Sequence, residues 1–326
     1  MNCFRLMNLR CLYKSALCGA CAFFNLKVGL AQQEGYAVLV GVRSTTAVSS
    51  KGHPFDNNAT AGVAKDLEKI QKLLQAAKFK DPNIKILSST SDTQASSILE
   101  NLKSMSTKAK TGDLVVFYFS GHGDTTPDLD NDELSGMDGI LVASDRRIVD
   151  DLLRPIWNSY QRGVRLVMIV DACHSGESYD FSLLEHQPTE VSASRRRTAI
   201  RQADNQRFLA ITTLRNLRFS NEIKFNNSRQ TFFTSCLQAA QDPAKTYQMI
   251  YLGASHTANI TGGSTTGSVF TDALYRKARQ TDPNQPVRRT YRELMENLDT
   301  CPSKLSYAEL GLLTQIFRTD YFLKIR

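Results

Sequence analysis

Two continuous apolar runs constrain this chain most: Asp113-Leu-Val-Val-Phe-Tyr-Phe-Ser120 and Arg165-Leu-Val-Met-Ile-Val170. Both are rich in β-branched and aromatic residues and neither alternates with polar ones, the pattern of strands covered on both faces in a parallel sheet. The first run leads into Gly121-His122-Gly123 and the second into Asp171-Ala172-Cys173-His174-Ser175-Gly176. Chemistry in such sheets gathers at the carboxyl ends of the strands. A thiol there with an imidazole close enough to take its proton is the minimal equipment for nucleophilic catalysis by cysteine.

The flanking pattern supports the same class. Tyr36–Val42 reads as a first strand, Ala61–Ala77 as a helix with Val63, Leu67, Ile70, Leu73 and Leu74 on one face, and Asn83–Leu87 as a short second strand. Thr93–Ala109 predicts a second helix, with Asp92 as its N-cap, and Asp150–Tyr160 a third. After a polar stretch from Phe181 to Thr246, order returns with a strand over Tyr247–Ala254 and a helix opening in Gly267–Leu274. Thr314–Leu323 is expected to supply a last edge strand. Strands alternating with helices of this length predict an α/β fold with a mainly parallel sheet flanked by helices on both faces.

The motifs Phe119-Ser-Gly-His-Gly123 and Asp171-Ala-Cys-His-Ser-Gly176 resemble the caspase superfamily, the second in the form found in metacaspases and their bacterial relatives. His122 and Cys173 are 51 positions apart, near the roughly 50 known for caspases. The resemblance extends from about Tyr36 to Asp180 and from about Met249 to Ala278, the second block being similar to the small-subunit portion of metacaspase-like domains. It implies a caspase-like sheet, His122 as base, Cys173 as nucleophile, and the backbone N–H groups of Gly123 and Cys173 as oxyanion donors. It also implies that Asp66, Ser120 and Asp171 line the pocket for the residue before the cut bond. Two carboxylates there would pair a guanidinium and repel an acid, so the expected substrates are proteins or peptides cut after Arg or Lys. Between Val42 and Asp66 the chain lacks the Cys and Asn that often precede the equivalent acid in the family, so an exposed helix acid is the rival reading of Asp66. For Asp171 the rival is a capped turn. His174 is read as shaping the turn after the nucleophile.

The chemistry itself requires no cofactor. The resemblance implies a calcium (Ca2+) site at Asp138, Asp150, Asp151 and Asp180, although Asp150-Asp151 equally suits a helix start, where acids favour the dipole. Asp128-Leu-Asp-Asn-Asp132 imitates an EF-hand start, but Glu133 replaces the required glycine and Gly139 stands where the bidentate acid belongs. Arg195, Arg196, Arg197 and Arg201 lie between the two similar blocks. They read either as self-processing sites or as an exposed basic linker.

The 326 residues carry a formal charge of +8, yet residues 1–31 hold Arg5, Arg10, Lys14 and Lys27 and no acid. With an apolar stretch from Ser15 to Leu26 and Gly29-Leu-Ala31 after it, this leader resembles a secretory signal peptide, the alternative being a helix packed on the domain. The remainder balances 36 basic against 32 acidic residues, and no basic stripe interleaved with aromatics argues for nucleic acid. Cys3, Cys11, Cys18 and Cys21 lie in the leader, leaving Cys173, Cys236 and Cys301. Three such spacings make no disulfide framework and no zinc pattern, though Cys236 and Cys301 could pair in an exported chain. The organisation expected is a leader to residue 31, a catalytic region over 32–180, a linker or insertion over 181–246, and 247–326 completing the same domain, with no membrane span after the leader. The function expected is a cysteine endopeptidase with a Cys-His dyad. Its rivals are a catalytically weak caspase-like binding or signalling module and a cysteine acyl-transfer effector with a non-basic substrate. Oligomeric state is not legible.

Overall fold

The computed structural model describes residues 33–127, 137–173, 247–254, 263–279, 289–298 and 305–326. The leader, the 181–246 segment with its arginines, the EF-hand-like run, Asp180, Cys236 and Cys301 lie outside the described residues.

Six strands form the central sheet: β1 (Gly35–Gly41), β2 (Ile84–Leu87), β3 (Leu114–Ser120), β7 (Arg165–Asp171), β8 (Gln248–Gly253) and β11 (Ser306–Gly311). Their order is β11-β8-β7-β3-β1-β2, every pair parallel except β11 with β8. The β1 to β8 crossovers that parallel pairing demands are why the fold needs helices at all. Odd- and even-numbered side chains alternate between two cores. Phe117, Phe119, Met168 and Val170 face α2 (Ala95–Lys108) and α3 (Arg154–Asn158), where Trp157 is buried. Val116, Tyr118, Val167 and Ile169 face α1 (Val63–Ala76), α4 (Val269–Arg279) and α5 (Tyr291–Glu296). The sheet is therefore covered on both faces, as the unbroken apolar runs require.

Three expectations need correction. The last edge strand is Ser306–Gly311, and Thr314 instead caps a short helix, α6 (Gln315–Arg318), accepting from the Phe317 N–H at 3.2 Å. The true strand was obscured by a charge in its middle, since Glu309 is buried and meets Arg292 at 3.2 Å and Arg318 at 2.8 Å. Helix α2 begins at Ala95, and the donor freed there goes to the Asp145 carboxylate at 2.8 Å, while Asp92 bonds Ser89. Asp150–Tyr160 is not one helix: a 3-10 turn over Asp150–Leu152 gives way to α3, with Pro155 in its first turn.

A second sheet went unforeseen. Strands β4 (Gly123–Pro127), β5 (Met137–Val142) and β6 (Arg147–Val149) pair antiparallel between β3 and β7 in the chain. Gly-Asp-Thr-Thr-Pro carries little apolar signal, and its proline marks an edge strand. Short β9 (Gly263–Ser264) and β10 (Gly267–Ser268) form a hairpin ahead of α4. Among the described residues no helix is long and apolar enough to cross a membrane.

Candidate active site

The parallel register brings the motifs level. Gly41 on β1 pairs with Ser120 on β3, and Ser120 pairs with Asp171 on β7, so three neighbouring strands end in one row. His122 and Cys173 each lie two residues beyond that row. The Gly121 N–H reaches across to the Asp171 carbonyl at 3.3 Å. A β-carbon built on Gly123 would stand 1.9 Å from the carbonyl oxygen of Cys173, so the two backbones touch. The Val142 N–H donates to the His122 carbonyl at 3.0 Å, making His122 and Val142 a hydrogen-bonded pair of the ladder. By the antiparallel alternation, Gly123 opposite Leu141 is then a non-hydrogen-bonded pair, and its N–H points out of the ladder.

The His122 ring lies under the segment that follows β1. Its Nε2 is 2.9 Å from the Asp56 carbonyl oxygen, and Phe55 stacks on it with centroids 5.0 Å apart. A carbonyl only accepts, so Nε2 carries the proton and Nδ1 presents a lone pair. Burial holds the imidazole below its ordinary value, against the pull of the Asp56 carbonyl. The ring is thus favoured in its neutral form, and Cys173, a half-buried free thiol, lies just past the end of the neighbouring strand. Sequence inspection missed Phe55 and Asp56, because a backbone carbonyl leaves no mark on residue type.

The expected pocket acids converge. Side chains of Ser120 and Asp171 fall on the α1/α4 face, by the same alternation that sends Tyr118 and Ile169 there. Gly41 lets α1 approach: a β-carbon on it would meet Leu67 at 2.5 Å and Val63 at 2.7 Å. Asp66, in the first turn of α1, thereby comes over the strand ends, where its Oδ2 accepts from Ser120 Oγ at 3.3 Å. Asp66 and Asp171 are 2% and 4% exposed, which removes the exposed-helix reading of the first.

Buried carboxylates require donors. The Ser268 N–H donates to Asp66 Oδ1 at 2.9 Å, while the Ser268 hydroxyl donates to Asp171 and accepts from the Thr271 N–H at 3.0 Å. Thr271 Oγ1 donates to Asp171 Oδ2 at 2.5 Å, so the Tyr118 hydroxyl, 2.7 Å away, must be the donor to Thr271. Burial, and next the neighbouring Asp171, push the Asp66 carboxyl up to about 7. Burial also raises Asp171, against its hydroxyl donors and Lys69. Lys69 supplies the nearby positive charge, pairing with Asp272 at 3.0 Å and donating to the Thr266 carbonyl at 3.1 Å. Ser268 and Thr271 lie inside a block whose pattern was noticed, but their role as donors was not foreseen.

The expected calcium ligands are only partly gathered. Asp138 and Asp150 are both buried, and the β5–β6 ladder, with Ile140 beside Val149, brings the Asp150 turn alongside the start of β5. Asp151 instead pairs with Arg154 at 2.5 Å. Among the described residues no three potential metal ligands converge, and the fourth expected ligand, Asp180, lies outside them.

The mainly parallel α/β sheet, with a histidine and a cysteine just past neighbouring strand ends, agrees with the resemblance to the caspase superfamily that the motifs carry. Residues 36–182 match the family model described as metacaspase, peptidase C14 domain, and this part of the chain is metacaspase-like. Metacaspase-1A of Aspergillus oryzae is 48% identical over 77 residues, covering 22% of this chain and 18% of that protein. Metacaspase-1 of Yarrowia lipolytica is 34% identical over 134 residues, covering 38% and 29%. The chain thus spans less than a third of the length of either relative. The crystal structure of protein GSU0716 from Geobacter sulfurreducens covers 90% of this chain and 99% of its own at TM-score 0.57 and 17% identity, a likeness of fold alone.

Proposed function

We propose that the chain is a cysteine endopeptidase that cleaves after Arg or Lys with Cys173 as nucleophile and His122 as base. The observation that carries this reading is the buried pair Asp66 and Asp171, the second in the row of strand ends just beyond which His122 and Cys173 lie and the first brought over that row by α1. Two carboxylates so close repel each other, and a guanidinium lowered between them relieves that repulsion with charge-assisted hydrogen bonds. An acidic side chain would add a third like charge. The matched metacaspase, peptidase C14 domain supports the class of chemistry.

In this reading Cys173 Sγ attacks the scissile carbonyl carbon as His122 Nδ1 takes the thiol proton. The oxyanion is met by the N–H groups of Gly123 and Cys173. Collapse breaks the C–N bond, and the imidazolium gives its proton to the leaving amine. Water, deprotonated by His122, then hydrolyses the thioester and returns the thiol. Asp138 and Asp150 would supply part of a calcium site, with Asp180 beyond the described residues, and no step runs through the ion. Self-processing at Arg195, Arg196, Arg197 or Arg201 and export through the leader belong to the same reading.

An arginyl chloromethyl ketone tests it by alkylating the thiol with loss of chloride. The expected result is a single mass increment on the Cys173 peptide, absent with the aspartyl reagent and in Cys173→Ala. Equal labelling by both reagents would overturn the basic specificity.

A further inference from the structure

The segment after β1 meets His122 at one point, and β4 holds that segment at a second. His122 and Asp124 are two residues apart where β4 begins, so their side chains share a face. His122 meets Asp56 and Phe55, and Asp124 meets Ser50 through both of its oxygens: Ser50 N–H donates to Oδ2 at 2.6 Å and Ser50 Oγ to Oδ1 at 3.1 Å.

Ser50 lies in the turn of one small hairpin and Asp56 just past its returning arm. Val48 bridges Pro54, the Ser49 N–H donates to the His53 carbonyl at 2.8 Å, and Gly52 closes the tip at φ +77° with its N–H 2.8 Å from the Ser49 carbonyl. The base of the segment is tied separately, by Thr45 Oγ1 to the Ala143 carbonyl at 2.6 Å, the Thr46 N–H to the Ser144 carbonyl at 2.9 Å, and the Thr45 N–H to Asn57 Oδ1 at 2.9 Å. Those ties fix the ends of the segment, and among the described residues Asp124 is the tie at its tip. The Arg147 guanidinium stands 3.8 Å from the same carboxylate.

We propose that Asp124 is a positioning residue for His122: by gripping Ser50 it fixes the hairpin and with it the Asp56 carbonyl that holds the imidazole as the Nε2-protonated tautomer. The inference rests on the reading of His122 as the base. A carboxylate bonded to a backbone N–H and a hydroxyl is a stronger tether than neutral pairs of the same geometry. Release of the hairpin frees the ring to take the other tautomer, with its proton on the nitrogen that must receive one from Cys173.

The test is nitrogen-15 NMR of the imidazoles in the full chain, with the His122 signals assigned by their loss in His122→Ala. At pH 8, where the imidazole is neutral, wild type is expected to show a single Nε2-protonated tautomer, and Asp124→Ala a mixture. Asp124→Asn, which keeps one acceptor, should fall between, and it replaces the alanine variant if that variant does not fold. Cleavage of an Arg peptide should fall about 10- to 100-fold in kcat in Asp124→Ala, with KM little changed, the scale of a small misplacement of a catalytic group. An unchanged tautomer in a folded Asp124→Ala overturns the proposal, even if activity drops. Absence of peptidase activity in wild type would sink the functional reading alone, since the tautomer is read without substrate.

Discussion

Gly123 and Cys173 are in backbone contact, with 1.9 Å between a β-carbon on the first and the carbonyl oxygen of the second. That oxygen belongs to main chain and cannot swing aside. Gly123→Ala must displace β4 or the turn carrying the thiol, and either shift separates the two N–H groups assigned to the oxyanion. We expect kcat/KM on an Arg peptide to drop by at least about 100-fold, with circular dichroism showing the fold retained. Activity within twofold of wild type would remove Gly123 from the oxyanion site.

Asp171→Asn keeps the size of the side chain and discards its charge. Breaking one partner of a buried charge pair costs about 2–5 kcal/mol, so kcat/KM for Arg should fall by about 30-fold or more. Discrimination against an Asp peptide should narrow. Retained preference for Arg would mean that another acid recognises the substrate.

The pH response follows from Asp66, whose carboxyl burial and Asp171 hold at about 7. A folded value above the ordinary carboxylate range means the native chain keeps this proton longer than the unfolded chain. Stability from this group is therefore lost as pH rises from about 4 to about 7. Over the upper part of that window affinity for an Arg side chain grows, because the pocket is then charged. Asp66→Asn should melt higher than wild type at pH 8, little differently near pH 4, and should lose the limb near pH 7 in kcat/KM. Parallel pH profiles in the two proteins would contradict the assignment.

Ser268→Ala removes the hydroxyl that donates to Asp171 and the acceptor at the start of α4. Loss of such a cap costs about 1 kcal/mol, so melting should fall modestly. KM for Arg should rise several-fold, and Ser268→Thr should restore both. A stability change without any KM change would make Ser268 a helix cap alone.

Much of this architecture was legible because it follows from unbroken burial. Runs such as Leu114–Phe119 and Arg165–Val170 mark central strands, and the period of α1 marks its buried face. What stayed hidden depends on long-range polar contacts. Asp145, 50 residues from the N–H it accepts, replaces the expected local cap, and Glu309 disguises β11 by burying a charge that two arginines balance. The row Gly41, Ser120, Asp171 could be guessed only once strand order was known, since register is not written in either strand alone. The donors Ser268 and Thr271 and the Asp56 carbonyl come from segments far apart in the chain. No spacing rule connects them to His122 or Cys173.

The most direct measurement is hydrolysis of a fluorogenic Arg peptide by the purified chain, with and without calcium, beside an Asp peptide and the Cys173→Ala protein. The account predicts cleavage after Arg, none after Asp, and complete loss in the mutant, with any calcium dependence assigning the ion a regulatory place. Folded wild-type protein that cleaves neither peptide, or a Cys173→Ala protein as active as wild type, would contradict it.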